Sequence, residues 1–352
     1  MIKAIDFFCG AGGLTRGLLN AGIEVLAGVD NDERLRETYT HNNNPSRFIN
    51  KDINTIQIHE LREELEIQNE DTTLYAACTP CQPFSTLSRL KDKDGKKILL
   101  LAFARIVKEC PPDFILVENV PGLNNACGKE IYEEFIEVLE ACEFSSKDAG
   151  LLDAKHFGVP QTRKRFILLA SKHGSISLPV PQTDPKCFVT VRECIEKYPK
   201  IVDGEESKDY PNHVARELKP HLKRIVEAVP KNGGNRHDVI DTSILLKCHQ
   251  EKPNAYKDVF GRMAWNAPAP TLTCRCADVY CGRFTHPDQD RGISLREAAA
   301  LQTFEDDYEF WGTSIGGISR QIGNAVPVKL AKQLGQSIMY SFQHGRSTHY
   351  EP

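Results

Sequence analysis

Cys81 stands between two prolines in the run Pro80-Cys81-Gln82-Pro83-Phe84-Ser85. Proline restricts the backbone on either side of the thiol, and a thiol held in one place is a candidate nucleophile. The same residue closes Cys78-Thr79-Pro80-Cys81, a C-x-x-C spacing that fits a redox pair or half of a zinc site equally well. A redox pair normally sits where a strand meets the first turn of a helix, whose amides lower the thiol pKa. Here Pro83 and a lysine-rich stretch follow, which reads as a loop. Zinc would need a second pair, and Cys274-Arg275-Cys276 is only a C-x-C, so no metal is expected. The chain has 12 cysteines, so packing as a small apolar side chain is the alternative for Cys81 and the expected role of Cys78.

Two further groups could act beside a thiol. Glu118 ends the apolar run Phe114-Ile115-Leu116-Val117 and precedes Asn119-Val120-Pro121-Gly122, a position that aims a carboxylate at a ligand cleft. Gln161-Thr162-Arg163-Lys164-Arg165 alternates two arginines, a spacing suited to a planar base, a carboxylate or a phosphate. Near the start, Asp6-Phe7-Phe8-Cys9-Gly10-Ala11-Gly12-Gly13-Leu14 reads as a strand, a glycine turn and a helix, so backbone amides can approach a ligand closely. Asp30 ends the next strand, where a carboxylate can accept both ribose hydroxyls of a nucleoside, and Asp52 follows at the distance of the next loop. This half leaves NAD and S-adenosylmethionine both open. The missing third fingerprint glycine favours the latter.

The elements that must position these groups alternate over the first 170 residues or so. Strands are expected near Ile2 to Phe8, Glu24 to Val29, Thr73 to Ala77, Phe114 to Glu118 and Phe166 to Ala170. Helices are expected over Leu14 to Ala21, Glu33 to His41, Ile98 to Glu109 and Ile131 to Ala141. The fold class is therefore α/β, a doubly wound, mostly parallel sheet, with ligands at the C-terminal ends of the strands. After about Ser171 prolines recur and periodicity fades, which predicts a second, smaller irregular domain. Helical pattern returns at Leu295 to Leu301 and Val328 to Met339, and the last helix could pack back on the first domain.

Composition bounds the setting. No run approaches the roughly 18 apolar residues of a membrane span, the first residues carry no signal-like apolar stretch, and the cysteines follow no disulfide framework. A cytoplasmic protein without membrane contact is expected. The net charge is −4, yet Arg216 to His286 holds 12 Lys and Arg against 7 Asp and Glu, a basic segment on an acidic body.

In this order the motifs resemble the bacterial-type DNA (cytosine-5) methyltransferase family. The resemblance is carried by the glycine loop from Asp6 to Leu14, by Pro80 to Ser85, by Glu118 to Val120 and by Gln161 to Arg165. Arg296-Glu297-Ala298-Ala299-Ala300-Leu301-Gln302 and Gly323-Asn324-Ala325-Val326-Pro327 complete it. It covers nearly the whole chain. The resemblance implies a catalytic and cofactor-binding domain over 1–180 and 322–352, a target-recognition domain over 181–293 and a hinge segment over 294–321. The implied activity is methyl transfer from S-adenosylmethionine to carbon 5 of a cytosine flipped out of double-stranded DNA, in a DNA-modification or restriction-modification role by a monomer. A tRNA cytosine-5 methyltransferase on the same lobe is the alternative.

Residue roles carry over from the same resemblance. Cys81 adds to carbon 6 of the ring, Glu118 holds ring nitrogen 3 and the exocyclic amine in a protonated form favoured by burial, Arg163 binds the base carbonyl, and Arg165 supports that pocket. Phe8, Gly10, Ala11, Gly13, Asp30, Asn31, Asp52, Ile53, Pro80, Leu99, Asn324 and Val326 surround the cofactor; relatives often place a bulky apolar residue where this chain has Asn31. Gln82, Ser85, Arg236, Arg262, Thr271, Arg275 and Arg283 contact DNA, with His237 a further candidate. A proline common in the family is Glu305 here.

Overall fold

The computed structural model describes residues 1–79, 98–124, 128–184 and 187–345. Its first compact unit comprises Met1–Asp153, Lys164–Pro181 and the chain from Val328 onward. Seven strands form one sheet: β1 Ile2–Phe7, β2 Glu24–Asp30, β3 Arg47–Asn50, β4 Thr72–Cys78, β5 Phe114–Asn119, β6 Ser146–Asp153 and β7 Lys164–Ser171. Their order is β3-β2-β1-β4-β5-β7-β6, with β1 to β5 parallel and β7 antiparallel to both neighbours.

Strands β4 and β5 read as almost unbroken apolar runs because helices cover both faces of the sheet. The covering helices of this unit include α1 Gly13–Asn20, α2 Arg36–Asn42, α3 Ile58–Glu64, α4 Ile98–Glu109 and α5 Lys129–Ala141. Phe7 lies 5.5 Å from Phe103 and 5.6 Å from Tyr75 between ring centroids, and Phe103 continues to Phe135 at 5.9 Å. That aromatic seam fixes the central strands whose C-terminal ends carry Phe8, Cys78 and Glu118.

The second unit comprises Ala154–Arg163 and Gln182–Pro327. It holds α6 Val191–Ile195, α7 Pro220–Ala228, α8 Lys247–Glu251, α9 Leu295–Leu301 and α10 Ile315–Asn324, and among the described residues its β structure is limited to isolated bridges. The chain ends with α11 Val328–Gly345, which belongs to the first unit and packs along α1. At that crossing a Cβ on Gly17 would overlap Ala331 and lie 2.7 Å from Lys332 N and Val328 O, so only glycine lets the helices meet so closely.

An irregular unit has many carbonyl oxygens and no ladder to pair them, and fully buried arginines supply the missing donors. Arg262 donates to the carbonyls of Val226, Val229, His286 and Gln289, and also meets Asp290. Arg236 donates to Pro253, Ala255 and Tyr256, and Arg296 to Pro211, Glu305 and Tyr308. Arg291 instead forms a buried fork on Glu297 at 2.8 and 2.7 Å. Burial alone would raise that carboxyl, but Arg291 and the capping amide of Ser294 hold it down at about 2. Residues 294–321, expected to be a hinge, contribute α9 and the start of α10 to this unit, and Ala154–Arg163 joins it although β7 follows immediately.

Candidate active site

The glycine turn is built by departures from ordinary backbone geometry at three alternate residues. Phe8 has φ +60°, Gly10 φ +55° and Gly12 φ +88°, and Gly12 caps α1. For a bulky residue like Phe8 that conformation is strained by about 1–3 kcal/mol, and the surrounding bonds must hold it. They do so from the end of β2. Cys9 N donates to Val29 O at 3.1 Å, and Gly10 N donates to Asp30 Oδ2 at 3.1 Å. A Cβ placed on Gly10 would meet nothing within 4 Å among the described residues, so the turn leaves room there where a ligand could lie.

Asp30 is thus a hinge pin as well as a candidate ribose partner. Its second oxygen accepts Asp32 N at 3.0 Å, while burial raises the carboxyl above its ordinary range and these amide bonds oppose the rise. Asp52 caps the short turn Ile53–Thr55 through Asn54 N at 2.9 Å, and Ile53 is buried. Arg105 of α4 fixes that turn by donating to Ile53 O at 3.1 Å and Ile56 O at 3.0 Å. Leu99 and Phe8 both pack on the sheet core, Ala11 is buried, Gly13 begins α1, and Asn31 is exposed.

Beneath the turn lies a network with no expected role. Thr15 Oγ1 donates to Asp6 Oδ2 at 2.7 Å and lies 3.0 Å from Tyr39 Oη, which lies 2.8 Å from Ser46 Oγ. Asp6 is fully buried, its Oδ1 has no partner among the described residues, and burial pushes the carboxyl up to about 7 against the bonds from Thr15. The sequence signal for this group was a lone carboxylate inside the apolar strand Ile2 to Phe8.

At the other strand ends, Glu118 faces Cys78 across β4 and β5 in register. Arg165 of β7 bonds Glu118 Oε1 through Nε at 2.9 Å, with both side chains nearly buried. Asn119 Nδ2 donates to Thr79 Oγ1 at 2.7 Å, joining the two strand ends. Burial, then the neighbouring Glu118 carboxylate, pushes the Cys78 thiol well above its usual range, so it stays a neutral, unreactive thiol. Pro80, Cys81, Gln82 and Ser85 lie outside the described residues.

The two arginines of the Gln161 to Arg165 motif have different partners in the structure. Arg163 is buried, and its Nη1 donates to Leu272 O at 2.7 Å and its Nη2 to Gly323 O at 3.0 Å and Ala325 O at 3.1 Å. Gln161 completes this knot, donating to Gln302 Oε1 at 2.9 Å and accepting Leu272 N at 2.9 Å, while Gln302 donates to Ile322 O at 2.8 Å. Arg163 therefore ties the motifs of the second unit together, and Arg165 is the arginine on Glu118. Asn324 ends α10 exposed, and Val326 is buried within the same turn.

The nominated DNA-contacting residues also separate. Arg236 and Arg262 are 1% and 0% exposed with their guanidinium groups spent on the carbonyls described above, so neither is presented to a phosphate or base. Arg283 donates to Gly233 O at 3.0 Å and Arg262 O at 3.2 Å, leaving it partly covered. Arg275 and Thr271 are exposed, and Thr271 Oγ1 donates to Thr162 O at 2.6 Å. Among the described residues no group of three or more His, Cys, Asp and Glu could hold a metal ion, and no helix is long and apolar enough to cross a membrane.

A parallel sheet with an antiparallel β7, a glycine turn after β1 and a carboxylate after β2 define a methyltransferase fold. A methyltransferase encoded within an E. coli prophage superposes with a TM-score of 0.69 at 23% identity, over 97% of this chain and 100% of that one. The Dnmt2 methyltransferase of S. pombe gives 0.62 at 16% identity, over 97% and 99%. The family model "C-5 cytosine-specific DNA methylase" matches residues 2–340, and the Type II methylase M.HgiDII of Herpetosiphon aurantiacus is 38% identical over 95% of this chain and 94% of its own length. The chain belongs to the C-5 cytosine-specific DNA methylase family.

Proposed function

We propose that the protein transfers a methyl group from S-adenosylmethionine to carbon 5 of a cytosine extruded from double-stranded DNA, within a restriction-modification or other DNA-modification role in the cytoplasm. The observation that carries the reading is the pairing of Glu118 with Arg165 near the end of β5, where Glu118 stands in register with Cys78, the last residue of β4. Cytosine carbon 5 is too poor a nucleophile to attack a sulfonium methyl directly. Addition of the Cys81 thiolate to carbon 6 makes the ring enamine-like, and the electrons pushed toward ring nitrogen 3 need a donor there. Glu118 supplies it, and Arg165 fixes the carboxyl and is the better candidate for the base carbonyl than Arg163. S-adenosylmethionine supplies the methyl group. Loss of the carbon 5 proton and of Cys81 then restores the aromatic ring. Extrusion of the base costs a few kcal/mol, which contacts around it must offset.

The cofactor assignment rests on donor chemistry. Asp30 offers a carboxylate at the ribose position, the Gly10 turn leaves room for a methionine chain, and Ile53 and Leu99 offer apolar surface to an adenine. Incubation with tritiated S-adenosylmethionine and DNA containing 5-fluorocytosine should trap a denaturation-resistant adduct, lost in Cys81→Ser. Absence of an adduct on diverse genomic DNA, or its persistence in Cys81→Ser, would refute the reading. Transfer to tRNA in place of DNA would favour the alternative substrate.

A further inference from the structure

Arg275 is held differently from the other arginines of the second unit. Its Nε donates to Asp278 Oδ2 at 2.9 Å, its Nη2 donates to Tyr280 Oη at 3.1 Å, and its guanidinium carbon lies 5.2 Å over the Tyr280 ring. The side chain is nonetheless 55% exposed, and Nη1 makes no hydrogen bond among the described residues. Asp278 is itself buried, and its other oxygen lies 2.8 Å from Arg216 Nε, so one fixed carboxylate braces two guanidinium groups. The backbone beneath is equally determined. Cys276 N donates to Thr273 O and Asp278 N to Arg275 O, both at 3.0 Å, and Leu272 O and the Thr271 hydroxyl tie the preceding residues to Arg163 and Thr162.

Such an arginine suits a base edge better than a phosphate. A phosphate is drawn by net charge, and the Asp278 carboxylate cancels much of the charge and repels the anion. A base edge is neutral and rewards donors already fixed in a plane, because the rotamer entropy of a long side chain has been lost before DNA arrives. Guanine O6 and N7 form the acceptor pair that matches the arginine fork.

Resting on the DNA methyltransferase reading above, we propose that Arg275 is a base-reading residue that recognises a guanine in the target sequence, with Asp278 and Tyr280 as its positioning residues. The proposal selects one arginine and one base, and assigns Asp278 a role in specificity that its burial would otherwise hide.

The test is methylation of duplexes with randomised sequence, read by bisulfite sequencing, for the full chain and for Arg275→Lys, Arg275→Ala and Asp278→Asn. The unchanged protein should return a motif containing a guanine whose preference falls by roughly 10- to 100-fold in both Arg275 variants, other positions being kept. Asp278→Asn should loosen the same position less. A motif retained at every position with a uniform loss of rate, accompanied by a salt slope smaller by about one, would mark a phosphate contact and overturn the proposal. An unaltered motif at unaltered rate would overturn it too. If the unchanged protein methylates no DNA, the methyltransferase reading itself fails and takes the proposal with it. Should Arg275→Ala unfold, Arg275→Lys decides the matter, since it keeps the charge and stem and loses only the planar fork.

Discussion

Asp6 shows how far one residue's surroundings can move its chemistry. A carboxyl raised from 3.8 to about 7 by burial binds its proton more tightly in the folded chain than in the unfolded one. Its contribution to stability is therefore fully present below the unfolded value and is lost as pH rises through about 7. Asp6→Asn should flatten the fall in thermal midpoint between pH 5 and pH 8, measured by calorimetry at both ends. Arg165 and Arg163 make a second contrast at this scale. Arg165→Ala should lower kcat by at least tenfold, and it also leaves the nearly buried Glu118 carboxyl without its ion-pair partner, so the thermal midpoint falls as well. Arg163→Ala should first lower the midpoint, because it takes the donor from the carbonyls of Leu272 and Gly323 at about 1–3 kcal/mol each and leaves Ala325 O to Gln302 alone.

At the scale of elements, the bond between Asn119 and Thr79 joins the end of β5 to the end of β4, one residue before Pro80. Thr79→Val keeps the shape and removes the hydroxyl. Its expected signature is slower trapping on 5-fluorocytosine DNA, by about tenfold, with cofactor affinity unchanged and recovery in Thr79→Ser. Helix α1 gives a prediction whose sign is set by packing. Gly→Ala inside a helix ordinarily stabilises by about 1 kcal/mol, but at Gly17 the methyl would collide with α11, so a net loss of about 1–3 kcal/mol is expected in denaturant titrations.

The elements also show what was legible beforehand. The strands carrying the glycine turn, Asp30 and Glu118 were evident because parallel central strands are written as uninterrupted apolar runs. Three pieces of the first unit were not: β3, only four residues long; α3, whose Ile58-His59-Glu60-Leu61-Arg62 reads as polar; and β6, an antiparallel edge strand with the plain sequence Ser146-Lys147-Asp148-Ala149. Among the candidate site residues, Glu118 and Asp30 stood out by their position at strand ends. Arg163 and Arg165 look interchangeable in sequence, and only three-dimensional partners separate them. Arg236 and Arg262 misled for a related reason: in an irregular segment the same residue type serves as carbonyl partner or as DNA contact.

For the molecule as a whole, the first unit gathers three stretches of chain, and its last stretch returns from residue 328. The ion pair between Arg291 and Glu297 plays the corresponding part in the second unit, and its removal by Glu297→Gln leaves a buried guanidinium uncompensated at a cost of about 3–5 kcal/mol. Acid should find the same weak point. A carboxyl held down at about 2 contributes stability above its ordinary 4.5 that is lost as pH falls between those values, which an acid titration of the protein's fluorescence would follow.

The packing of α11 against α1 also orders events during synthesis. Helix α1 follows the glycine turn within the first 20 residues, yet the face that bears Gly17 is covered only by residues from 328 onward. A ribosome must therefore have passed residue 328 before that helix finds its partner, and until then the glycine turn rests on an unfinished support. Stable folding of the first unit should accordingly wait until the residues of α11 have been made.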